Sequence, residues 1–176
     1  AAFLPVLAME GGPDPTRAPE VLALARVFPD IDAYQTLGAT LGTLAGDAAG
    51  VHAVLRRRLD TPLRGAEDAR VLAELATVTG NPMLDHADPA AVAADMARAR
   101  QIVADQVPET TRVALLAAEI GLRTRADLPR QEAWDALVAL RPTPRFQALR
   151  ASDMEARTPG SGLAILADLA RAHPDE

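Results

Sequence analysis

Between Ala33 and Leu59 the chain runs 27 residues without a proline, within its longest proline-free stretch. Leu37, Leu41, Leu44, Ala48, Val51 and Leu55 recur at intervals of four and three, which on a helix sets them along one apolar seam. At about 100° per residue, Gly38, Gly42, Gly46 and Gly50 fall on the opposite side among alanines. Thr36, Thr40, Thr43 and Asp47 form a narrow polar edge. Each interior glycine costs about 1 kcal/mol relative to alanine, so such a helix needs neighbours on both sides. The seam offers ordinary knobs, and the glycine face lets a second helix come close. The spacing predicts a central helix over Ala33–Leu59, roughly 40 Å long at ~1.5 Å per residue. Gly46-Asp47 is the one place at which it would break.

The rest of the chain is punctuated by proline and glycine. A breaker cluster from Gly11 to Pro15 separates an N-terminal arm, residues 1–15, from one helical domain over 16–176. Pro19 opens a helix running to about Phe28. Ala66–Thr79 repeats the apolar periodicity and stops at Gly80. Asp88-Pro89 is an N-cap followed by a first-turn proline, and its helix carries Val92, Met96 and Val103 toward Pro108. Thr110 or Thr111 caps a helix that Gly121 closes, and Pro129 opens another that runs through Trp134, Leu137, Val138 and Leu140 to Pro142. Pro144–Arg157 and Leu163–Ala172 complete the set, the last capped by Ser161. No segment alternates with period two, so the expected fold is all-α: an irregular bundle of about eight helices around Ala33–Leu59.

Composition narrows the chemistry. With no cysteine, disulfides, thiol nucleophiles and cysteine metal sites are excluded. All 18 basic residues are arginine, which fits the codon usage of a GC-rich bacterial genome and rules out a lysine phosphate loop. A formal charge of −6 argues against a general binder of nucleic acid or anionic membranes. Ala1–Ala8 is apolar and fits either a mature exported end or a trimmed cytoplasmic start, so the compartment stays open.

The helix pair between Pro142 and Pro174 resembles a tetratricopeptide unit, with Phe146 and Leu149 in its first helix and Gly162, Leu166 and Leu169 in its second. That resemblance implies a concave peptide- or protein-binding surface. The preceding stretch departs from the pattern at Arg130 and Trp134, and there is no third copy. Ala117–Pro129 has the outline of a helix-turn-helix, but Pro129 would fall inside the recognition helix at a cost of ~3 kcal/mol or more. The 23 residues Ala33–Leu55 lack a basic side chain and are followed by Arg56-Arg57-Arg58, as a membrane span would be. Asp47, at its middle, costs about 2.5–3.5 kcal/mol in a bilayer and argues for a helix buried in protein instead.

Nucleophilic catalysis has only Ser152 and Ser161 to use, and neither sits in a nucleophile elbow. His52, His86 and His173 lack partners at metal-ligand spacing, so no metal and no cofactor is expected. Glu67-Asp68 and Asp95 with Arg98 and Arg100 read as solvated helix faces. The expected function is therefore a non-enzymatic interaction or scaffold domain that binds another protein or a second copy through a helical groove. Trp134 and Phe146 are its candidate aromatic anchors. The alternative is a small-ligand or enzymatic pocket between helices, using Asp47, His52, Asp85 and His86. A third is a membrane-associated subunit.

Overall fold

The computed structural model describes residues 13–173, so most of the expected arm over 1–15 lies outside the described residues. Among them the protein is all-α, with nine α-helices and no strand. These are α1 (Ala18–Val27), α2 (Asp32–Leu44), α3 (Ala48–Leu59), α4 (Ala66–Thr79), α5 (Pro89–Val103), α6 (Glu109–Arg125), α7 (Gln131–Leu140), α8 (Pro144–Arg157) and α9 (Leu163–Ala172). The stretch expected as one helical domain divides into two compact units, the first ending at Leu128 and the second beginning at Pro129.

The long central helix is corrected: Ala33–Leu59 is two helices, α2 and α3, parted at Ala45–Asp47. Gly46 takes a left-handed φ of 70°. Its N–H reaches the Thr43 carbonyl, and the Asp47 N–H reaches back to the Gly42 carbonyl at 2.8 Å, which together make a Schellman ending. Asp47 then starts α3, its Oδ1 accepting the Gly50 N–H at 2.8 Å. The stop and start signals at Gly46-Asp47 outweigh the continuous apolar seam. As α3 packs on α2, the two faces of the expected single helix meet each other. A Cβ on Gly42 would lie 2.6 Å from Val51 Cγ2 and 3.3 Å from Leu22, so glycine is what allows α1, α2 and α3 to close together. With the segment cut in two, no helix among the described residues is long and apolar enough to cross a membrane.

The central place in the first unit belongs to α4, which packs against α2, α3, α5 and α6. Its Ala69, Leu72, Ala73, Leu75 and Ala76 are buried with Leu22, Leu41, Val51, Leu55, Met96 and Leu115 in one core. One arginine, Arg58, and two carboxylates are buried in this unit's interior. Asp68 on α4 is buried beside Arg58 and Arg64 rather than facing water. Glu119 on α6, 1% exposed, takes Arg100 at 3.3 Å and Arg123 at 2.9 Å. Arg100 therefore serves Glu119, not Asp95 as the helical spacing suggested. Nor does Gly121 close α6, which runs on to Arg125; the outline of a helix-turn-helix is a continuous helix there.

In the second unit α8 packs on α7 and on α9. Arg130 Nε donates to Asp153 Oδ1 at 2.7 Å and Arg150 pairs with Asp135, so two ion pairs join α8 to α7 and the residue before it. The N-terminus of α9 is served by Glu155 and not by Ser161: its carboxylate accepts the Gly160 N–H at 2.7 Å and the Gly162 N–H at 3.0 Å. Those backbone bonds, first from Gly160, hold the Glu155 carboxyl below the usual glutamate range.

Candidate functional site

Two sites emerge, one in each unit. In the first unit, α3 turns Ala49, His52, Ala53 and Arg56 to one side, at the i, i+3, i+4, i+7 spacing of a helix face. Opposite them stand Asp85, His86, Ala87 and Asp88 from the turn before α5, with Val92 of α5. They enclose a cleft of about 310 Å³, at the small end of the range for ligand pockets.

The two imidazoles are fixed by acceptors. His52 Nε2 lies 2.8 Å from Asp95 Oδ2, which also draws Arg56 Nε to 3.6 Å. His86 Nε2 lies 2.7 Å from the Thr79 carbonyl oxygen. Neither a carboxylate nor a carbonyl can donate, so each Nε2 carries a proton, and a ring in its neutral form has its lone pair on Nδ1. The rings meet edge-on with centroids 6.2 Å apart. Burial pushes the His86 imidazole below its ordinary pKa; the bond to Thr79 opposes this, and the charges of His52 and Arg125 add to it.

Of the residues singled out from sequence for a pocket, His52, Asp85 and His86 come together here. Asp47 does not: its side chain is spent on capping α3. Asp95 and Arg56 belong to the cleft's chemistry and were missed, because the pairing of Asp95 across α5 and α3 has no trace in local spacing. No serine, threonine or cysteine lines the cleft. Among the described residues, no group of three His, Cys, Asp or Glu side chains is placed to hold a metal. What the cleft offers is an oriented imidazole pair able to accept protons or hydrogen bonds.

The second site is a groove of about 1170 Å³ along the α8–α9 hairpin. Its apolar lining is Phe146 and Leu149 from α8, with Leu166 and Leu169 from α9. Leu149 is 46% exposed, Leu163 at the start of α9 is 57% exposed, and no side chain of α9 is buried. An amphipathic helix normally buries its apolar stripe, and here Ile165, Leu166 and Leu169 are only half-buried while Leu163 is exposed. Arg141, Arg145 and His173 are the ionisable residues of the lining, and no Asp or Glu joins them. Phe146, an expected anchor, thus lines the groove. Trp134, the other, is 9% exposed on α7 and takes no part in it. The leucines were legible as a stripe; the spacing of Arg145, four residues before Leu149, was equally legible, but its lack of an ion-pair partner among the described residues was not.

No family model, no curated protein and no solved structure matches this chain.

Proposed function

We propose that this protein is an interaction module, non-enzymatic in its second unit, which receives an amphipathic helix of another protein in the α8–α9 groove. The observation that carries the reading is the incompletely covered apolar stripe of α9, which lines one groove with Phe146 and Leu149. A contiguous exposed apolar surface with a polar rim is the usual mark of a docking face, and grooves between helices take helices through anchors at i, i+3, i+4 and i+7. The resemblance of this hairpin to a tetratricopeptide unit supports the same reading, since it implies a concave peptide-binding surface. Phe146 serves as aromatic anchor, with the leucines around it excluding water.

The test is titration of a fluorescent amphipathic helical peptide with the full chain, read by anisotropy. Saturable binding that Leu166→Asp and Leu149→Asp each abolish, with circular dichroism unchanged, supports the reading. Binding that survives both substitutions contradicts it.

The first unit carries a second reading of its own, as a small-ligand pocket. It is favoured by the convergence of His52, His86 and Asp85 on one cleft, with Asp95 fixing the His52 tautomer. Ring-nitrogen NMR shifts of both histidines on adding a ligand would support it. A ligand library that leaves both rings unmoved would count against it.

A further inference from the structure

We infer, on the strength of the groove reading above, that the helix it receives is acidic, with its carboxylates gathered at the end that meets Arg145. The lining sets three basic side chains, Arg141, Arg145 and His173, beside four large apolar ones and includes no carboxylate. Arg145 is exposed and makes no hydrogen bond or ion pair with any described residue. It stands four residues before Leu149 on α8, so cation and apolar floor share one helix face. His173 stands four residues after Leu169, just past the end of α9. The two helices form a hairpin, which brings the start of α8 and the end of α9 to the same end of the groove. The groove therefore has an apolar middle and one cationic end.

That polarity selects among occupants. A second copy of this chain would bring the same cations, and its own face offers nothing to meet them. A nucleic acid would satisfy Arg145 but leave the leucines and Phe146 uncovered. A bilayer surface would take a protruding apolar face more readily than a concave one. A helix with apolar anchors and acidic residues toward one end meets both Arg145 and the apolar floor. It is also steered toward the site by charge.

Three labelled peptides with one leucine pattern, and Glu, Gln or Lys at the flanking positions, would be titrated with the full chain at low and high salt. The expected result is at least about tenfold tighter binding of the Glu peptide than of the Lys peptide, with the gap shrinking as salt screens it. Arg145→Glu should narrow or reverse that order while leaving the Gln peptide's affinity unchanged. Because position 145 lies in the first turn of α8, where acidic residues are favoured, this variant keeps its fold, and its melting curve checks that. Equal affinity for all three peptides overturns the inference while the groove reading survives. If none binds, both fall. Displacement of the Gln peptide by phosphatidylserine vesicles also overturns it and assigns the face to a membrane surface.

Discussion

Arg58 Nη2 lies 3.1 Å from Asp68 Oδ2, and both side chains are sealed inside the first unit at 0% and 7% exposure. This pair ties α3 to α4, the helix at the unit's centre. The Arg58 Nη1 also donates to the Thr61 carbonyl at 3.2 Å, while Nε and Nη2 are buried with no hydrogen-bond acceptor, so the contact with Asp68 is an ion pair and not a hydrogen bond. Asp68 is the carboxylate in contact with this guanidinium, and Asp32 adds a weaker attraction without a direct ion pair. Asp68→Ala strands the charge, and we expect a loss of about 3–5 kcal/mol, read from urea unfolding followed by circular dichroism. The double replacement Arg58→Met with Asp68→Leu should cost less than Asp68→Ala alone. A loss under about 1 kcal/mol for Asp68→Ala would contradict the pairing.

The hydrogen bond between His52 and Asp95 joins α3 to α5 with both side chains largely buried, at 15% and 20% exposure. Asp95→Ala should cost about 1–2 kcal/mol. A double-mutant cycle with His52→Ala should return a coupling of about 1 kcal/mol. Additive single effects would show that the two residues do not interact.

Acid should loosen the first unit through His86. Burial lowers its pKa in the folded protein below the ordinary value near 6.5, so the fold favours the neutral ring. Its contribution is fully present above the unfolded pKa and is lost as pH falls through that value toward the lower folded one. The midpoint of urea unfolding should therefore drop between pH 7.5 and 5.5. His86→Gln keeps a donor for the Thr79 carbonyl but does not titrate, and should show a smaller drop. Identical drops in both proteins would remove His86 from the account.

Two glycines of the α2–α3 region should fail for different reasons. At Gly42 an added Cβ meets Val51 at 2.6 Å, and Gly42→Ala should cost about 1–3 kcal/mol by overpacking. Val51→Ala in the same chain should recover part of that loss. At Gly46 nothing lies within 4 Å, so Gly46→Ala carries only the backbone cost of φ 70°, about 1–2 kcal/mol, and Val51→Ala should not rescue it. Equal rescue at both positions would contradict this division.

Much of the fold was legible because helix ends are written locally. Ala66–Thr79 and Pro144–Arg157 are bounded as their caps and prolines implied, and Asp88 accepts the Ala91 N–H at 3.0 Å as an N-cap should. Gly46-Asp47 was equally plain as a signal, but the apolar seam across it suggested continuity. The seam persists because both halves bury most of it in the same core, with Leu44 at the break left exposed. Gly121 misled in the opposite sense, since a glycine inside a well-packed helix only weakens it. What the sequence hid was pairing at a distance. Asp68 looked solvated beside Glu67, and Asp95 looked bound to its own helix, because partners 10 or 43 residues away leave no local pattern. Of the candidate site residues, His52, Asp85, His86 and Phe146 line the two sites, whereas Asp47 caps a helix and Trp134 is buried.

The central claim, that the α8–α9 groove is where a partner helix docks, is tested most directly by methyl NMR of the leucine-labelled full chain. On adding an acidic amphipathic peptide, the account predicts saturable shifts at Leu149, Leu166 and Leu169, with Leu72 and Leu115 in the first unit's core unmoved. Shifts confined to the first unit, or none at saturating peptide, would contradict it.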